Sequence, residues 1–334
     1  MRRCHLRAGG IVGPLCLLAL VLNACAALPD PTSLPTTSGV EAPPTINLLD
    51  ALPPPPDIDP EDKSRSPTLS LVENLSVFLG LDGAKGPDDL GINANFGLRS
   101  HVNWGYPIWE RYGLGVQLGT AINYSPSAVK VLEAINGTNE RTQSFTTVGL
   151  FQRTDCGLKW GVVYDFLFEH YYQEIGLGQW RGQAGYEFRP ADEAGAWFTI
   201  PDHGDHASVG KTDFGLEPIW QGNLYYRHTW SSQVDTRFWV GLAQRHSKFN
   251  LVLPGNTPVH DAFVFGADLQ VPLNDWLALF GEANFITPND TGTVTATLGV
   301  AVYPGTKAAG ASHRRFAPLL PVANNPSFAV DVDR

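Results

Sequence analysis

The chain has 334 residues, 43% of them hydrophobic and 11% aromatic, with 34 glycines and a formal net charge of −10. That acidic balance, without any basic patch, excludes nucleic acid as a partner, because phosphate binding needs clustered Lys and Arg. The length allows one large β-domain or two ordinary domains, and long helical patterns are scarce.

The first residues read as an export signal. Arg2, Arg3 and Arg7 precede an apolar core from Ile11 to Leu22 that is too short to span a bilayer as a helix. Ala24-Cys25-Ala26 has the small-x-small spacing that a signal peptidase accepts, so residues 1–26 are expected to be removed. Leu22-Asn23-Ala24-Cys25 also resembles a lipobox, which would make Cys25 a lipidated first residue, although Asn23 is unusual at its position. On either reading Cys4 and Cys16 leave with the signal. Cys156 then stands alone or beside an acylated Cys25, and no structural disulfide is expected. Within Thr154-Asp155-Cys156-Gly157 a small turn residue is a simpler reading than a reactive thiol.

Residues 27–70 are a Pro-rich linker. Prolines at 29, 31, 35, 43, 44, 53 to 56, 60 and 67 remove backbone donors and oppose both helix and sheet, which leaves a spacer or a tether.

Alternation then begins and continues to Tyr303. The clearest stretch is Leu158 to His170. Leu158, Trp160, Val162, Tyr164, Phe166 and Phe168 form an apolar, aromatic face. Lys159, Gly161, Val163, Asp165, Leu167 and Glu169 form the other. A period of two is a strand, and a helical step would scatter those aromatics round a cylinder. Before it, strands are expected at Leu75–Asp82, Ile92–Trp104, Leu114–Asn123 and Arg141–Gln152, the last with an ambiguous phase. After it come Gln179–Arg189, a weaker Ala194–Ile200, Trp220–Trp230, Arg237–Arg245, Phe263–Val271, Leu277–Phe285 and Thr293–Val302. That makes about twelve strands, an even number.

The connections support the same arrangement. Arg153–Gly157, Arg189–Glu193, Ser231–Val234 and Pro272–Asp275 are short, and Ser125–Glu140, Pro201–Ile219 and His246–His260, which alternate with them, are longer. Short turns on one rim and long loops on the other, with tryptophans near strand ends (Trp104, Trp180, Trp220, Trp230, Trp276), describe an antiparallel transmembrane β-barrel over residues 71–304. A soluble β-sandwich also alternates, but its wet face carries Lys, Glu and Thr rather than so many Gly, Gln and Asn. Within the loop after the third strand, Pro126–Ile135 has helix formers and stops at Asn136-Gly137, a C-cap signal.

Asn74 to Gly97 resembles the opening hairpin of an uncharacterised family of bacterial porin-like proteins that carries a domain-of-unknown-function label. Trp160-Gly-Val-Val-Tyr-Asp165 and Val271-Pro-Leu-Asn-Asp275 are similar to its later segments. The resemblance covers residues 71–304 and implies a porin-like outer-membrane barrel with no assigned activity, substrate or catalytic residue. One departure is the C-terminal tail, 305–334. Outer-membrane barrels normally end on an aromatic residue of the last strand, so the barrel-assembly machinery would have to read an internal strand here.

No constellation points to chemistry, and no catalytic residue, cofactor or metal ligand is assigned. Pro201-Asp-His-Gly-Asp-His206 holds His203 and His206 with Asp202 and Asp205, but a flexible loop fixes no geometry and no third distant ligand is evident. Ser100 and His228, both outward, are the pair a membrane-facing hydrolase would use, though no nucleophile motif surrounds Ser100. No Gly-rich loop follows a strand and opens a helix, so a nucleotide site is not expected.

The inward face carries both signs: Arg99, His101, Lys159, Arg181, Arg227, Arg237 and Arg245 with Asp82, Asp165, Glu187, Asp268 and Glu282. Between them lie amides such as Asn103, Gln117, Gln179, Gln183 and Asn284, interrupted by Phe78, Tyr225, Trp239 and Phe280. So many polar groups imply a hydrated lumen, hence a weakly selective channel for small polar solutes in outer-membrane lipid. A non-conducting structural or adhesive barrel is the alternative. Asp165→Asn, on the wet side, is expected to be tolerated where Val162→Arg, against lipid, is not.

Overall fold

The computed structural model describes residues 72–86, 94–126, 140–171, 173–209, 212–244, 262–287 and 293–333. The signal segment with Cys25, the Pro-rich linker, the helix expected after Pro126, and Arg245 lie outside the described residues.

The expected strands form, and twelve of them close into an antiparallel barrel. They are β1 (Leu75–Lys85), β2 (Asn95–Trp109), β3 (Leu114–Ser125), β4 (Arg141–Arg153), β5 (Leu158–His170), β6 (Glu174–Arg189) and β7 (Asp192–His203). After β8 (Asp205–Val209) and β9 (Thr212–Pro218) the wall resumes with β10 (Gln221–Thr229), β11 (Asp235–Ala243), β12 (Ala262–Pro272), β13 (Leu277–Thr287) and β14 (Thr293–Val302). Each wall strand pairs with its chain neighbour, except that β7 pairs directly with β10 and β14 closes on β1. The hairpin β8–β9 leaves the wall at the long-loop rim and takes β15 (Val330–Asp333) as a third strand.

The two faces of each strand have opposite solvents. Outward residues such as Leu79 (62% exposed), Leu98 (56%), Leu224 (67%) and Phe238 (57%) form an apolar belt round the barrel. Only a bilayer core solvates such a wall, and the period-2 pattern comes from that requirement. Trp109, Trp230 and Trp276 are exposed near the short-turn rim, and Trp180 and Trp220 nearer the other, at the two headgroup levels. The phase of β4, ambiguous in sequence, is settled by Phe145, Thr147 and Phe151 facing in, all fully buried, with Val148 and Leu150 facing out. In the β4–β5 turn Gly157 takes a left-handed φ of 86°, which explains glycine there, and Cys156 beside it is exposed.

After β14 the chain does not leave. Residues 303–316 cross the short-turn rim, where Ala308 N–H donates to Asp275 O (2.7 Å), Arg314 Nη1 to Glu73 O (2.8 Å), and Arg315 pairs with Asp155 at 3.3 Å. From Ala317 the chain turns into the barrel, runs the length of the lumen, and emerges at the opposite rim as β15. Leu320, Val322, Ala323 and Phe328 are each no more than 1% exposed along this path.

Candidate functional site: the lumen and its occupant

The inner wall is as polar as the sequence implies, but the partner of its polar groups is peptide. Arg153 Nη2 donates to the carbonyls of Ala317 (3.2 Å) and Pro318 (3.3 Å). Asn103 and Gln117 both donate to Leu320 O, at 3.1 and 2.9 Å. Gln117 Oε1 accepts the N–H groups of Leu319 and Leu320, both at 3.1 Å. Higher up, Arg181 donates to Pro321 O (2.7 Å), Arg99 to Ala323 O (2.9 Å) and Gln179 to Ser327 O (2.8 Å). Thr147 Oγ1 accepts Ala323 N–H at 2.9 Å. Pro318, Pro321 and Pro326 suit this path, since each carries a carbonyl to be bonded and no N–H to be orphaned.

Three inward glycines make room for the segment. A Cβ on Gly105 would lie 2.1 Å from Phe316 O, one on Gly119 2.5 Å from Val322 Cγ2, and one on Gly161 2.6 Å from Leu320 Cδ1. Apolar side chains of the segment fill the rest. Val322, Ala323 and Phe328 pack with Phe145, Leu167, Ile175 and Leu177, and Leu319 and Leu320 pack with Phe151 and Val163. The expectation of a hydrated lumen is therefore corrected along this path. Amides and guanidinium groups are satisfied by a backbone carbonyl as well as by water, so a wall that binds a chain and a wall that binds water read alike in sequence.

The charged candidates take distinct places. Arg99 is buried and reaches Asn123 Oδ1 (3.0 Å) besides the segment. Asp82 accepts from Thr297 (2.7 Å) and Asn325 (3.0 Å). Lys159 bridges Glu187 (3.0 Å) and Glu193 (2.8 Å). Asp165, fully buried, accepts from Arg181 Nε (2.8 Å) and Nη2 (3.1 Å), Thr147 (2.7 Å) and Gln179 (3.2 Å). The expected tolerance of Asp165→Asn is overturned by these contacts, because neutralising one partner strands a buried guanidinium. Glu282 accepts from Asn324 Nδ2, and Arg237 is paired with Asp268 through Nε (2.7 Å). Arg227 comes within 3.9 Å of Glu193, and the ring of His101 stacks on Phe78 at 4.8 Å.

Sequence reasoning missed Arg141, Gln143, Thr147 and Arg153 on β4. Its outer face carries Thr142, Ser144 and Thr146 at one end, so polarity alone did not separate the sides. The available signal for the segment was the apolar, Pro-punctuated run Ala317–Val330 beyond the last wall strand.

The other constellations do not assemble. Ser100 on β2 and His228 on β10 are six strands apart in either direction (β10–β11–β12–β13–β14–β1–β2), on opposite sides of the barrel. His228 Nδ1 instead meets Asp192 Oδ1 at 2.7 Å. Asp202 accepts from Tyr164 (3.0 Å) and Asp205 from Gly176 N–H (2.9 Å). Among the described residues no group of three His, Cys, Asp or Glu side chains is placed to hold a metal ion.

A cavity of about 150 Å³ remains at the short-turn end, lined by the segment, by β10–β13 and by residues of β1, β2 and β4. Tyr303, just beyond β14, closes part of it with its hydroxyl donating to Gln270 (3.1 Å), and burial beside Asp235 pushes that phenol up to about 12.

Solved structures share the barrel architecture at low identity. A structure from a study of the in-meso crystallization of membrane proteins overlaps 77% of this chain and 100% of its own at 9% identity and TM-score 0.47. The CymD monoaromatic hydrocarbon channel overlaps 70% and 90% at 8% identity and TM-score 0.41. The Salmonella typhi outer membrane phospholipase overlaps 68% and 90% at 8% identity and TM-score 0.39. At such TM-scores these likenesses assign no function. No curated protein matches the chain. A family model matches residues 74–330, from the start of the barrel through the lumenal segment, and the chain belongs to that family of unknown function, DUF6666.

Proposed function

We propose that the protein is an outer-membrane, porin-like channel for small hydrophilic solutes, held shut by its own segment 317–330. The observation that carries this reading is the chemistry of the wall. Side-chain amides and guanidinium groups that solvate the segment's carbonyls are the groups that would solvate water and small polar solutes once the segment is out. Charges of both signs line the wall, so selectivity between anions and cations is small and salt-dependent. The density of the segment's apolar packing favours one second reading, a non-conducting structural barrel. Export by the N-terminal signal and insertion by the barrel-assembly machinery, using an internal strand as its recognition element, complete the proposal.

Planar-bilayer conductance tests it. The full chain is expected to be closed or to open rarely, and a chain ending at Pro304 to conduct steadily and to swell liposomes in small sugars. A folded truncated barrel that passes nothing above protein-free controls would replace the channel with the structural reading. Fractionation of the source cells checks the location, with recovery in the soluble cytoplasm as the contrary result.

A further inference from the structure

The charged groups that line the cavity at the short-turn end are unevenly paired. Its acids are already served. Asp235 accepts from Thr229 (2.6 Å) and Ser312 (2.8 Å), Asp268 from Arg237, Glu282 from Asn324, and Glu73 is paired with Arg314 at 3.4 Å. Of its three arginines only Arg237 is fully paired. Arg153 is 5% exposed, and its Nε and Nη1 have no hydrogen-bond partner, only Nη2 being bonded to the segment. Arg227, on the same cavity, approaches Glu193 only at 3.9 Å, and Glu193 is already held by Lys159 (2.8 Å) and Tyr225 (2.5 Å). His101, also on the cavity, has a buried Nδ1 without a partner.

A buried guanidinium with two idle N–H edges is costly, and a small oxyanion in the cavity relieves it by accepting a charge-assisted hydrogen bond from one of those edges. A volume of about 150 Å³ accommodates a ligand of about benzene size. We propose that this cavity is a binding site for a small oxyanion, a carboxylate or a phosphate, held by Arg153 and Arg227. The site needs no open channel. It lies beside Ala317–Pro321, where the segment enters the lumen.

The test uses the full-length folded chain in detergent at low ionic strength. Sodium phosphate and sodium acetate are titrated calorimetrically, with sodium chloride as the reference for ionic strength. At least one oxyanion is expected to bind saturably beyond chloride. Phosphate alone identifies a phosphate site, and acetate a site for carboxylate solutes. Arg153→Gln is expected to weaken that binding about tenfold or more, the size of a lost charge-assisted pair. Arg189→Gln, exposed and away from the cavity, is expected to leave it unchanged. Absence of saturable binding by either oxyanion, or equal affinity in folded Arg153→Gln, overturns the assignment. Where Arg153→Gln does not fold, Arg227→Gln decides: weakened binding supports the site and unchanged affinity overturns it. No transport step enters the measurement, so failure of the channel reading would leave this result standing, and the reverse.

Discussion

The two sides of the lumen are built from similar residues and use them differently. On the β2–β6 side, Asn103, Gln117, Arg99, Gln179 and Arg181 all end on the backbone of the lumenal segment. On the side from β7 to β13 the wall mostly bonds to itself: Trp239 donates to Asn284 (2.8 Å), Tyr225 to Glu193 (2.5 Å) and Arg237 to Asp268 (2.7 Å). The segment crowds the upper part of the first side and leaves the cavity at the short-turn end, between Arg153 and His101 of the first side and Arg227, Asp268 and Glu282 of the second. Polar groups saturated by a covalently attached chain are structural. Those left facing a cavity are free to meet a solute.

If that division is right, the same chemical change should cost more on the crowded side. Asp165→Asn breaks a fully buried pair with Arg181 and is expected to destabilise by about 3–5 kcal/mol. Val162→Arg, on the outer face of the same strand, is expected to cost about 2–4 kcal/mol against lipid. Asp268→Asn breaks a pair beside the cavity, where both side chains keep some exposure, and is expected to cost only about 1–3 kcal/mol. Urea unfolding followed by heat-resistant gel migration ranks all three. An Asp268 variant as damaged as the Asp165 variant would erase the distinction.

The smallest effect lies outside the membrane, at the long-loop rim. The Gly176 N–H, followed by that of His206, holds the Asp205 carboxyl below the usual carboxylate range. A lowered folded value means that the stabilisation is present above about pH 4 and disappears as pH falls through that lowered value. Amide exchange in β8 should therefore be faster in Asp205→Asn than in the unaltered chain at pH 6. The two should converge in acid.

How far the sequence could be read follows from the same physics. Lipid strongly disfavours polar side chains, so the apolar outer face of β5 or β14 is written without ambiguity, and strand order and closure follow from it. The short β8, β9 and β15 carry no lipid face and left no such signal. The inner face must only be satisfied, and Gln117 or Arg181 is satisfied equally by water, an ion or a carbonyl. Glycines at 105, 119 and 161 were visible as small inward residues, but their purpose required the tail, which is separated from them by more than 150 residues.

The central claim is that this tail occupies the lumen in the folded protein. The direct test is a cysteine pair at Gly119 and Val322, in a chain with its other cysteines replaced by serine, since a Cβ at 119 lies 2.5 Å from the Val322 side chain. Mild oxidation of the barrel in vesicles is expected to join the two as an intramolecular disulfide in nearly every molecule, seen as a mobility shift and as loss of both thiols to alkylation. Full alkylation of both cysteines in a heat-resistant, folded barrel would show that the segment lies elsewhere, and would contradict the account.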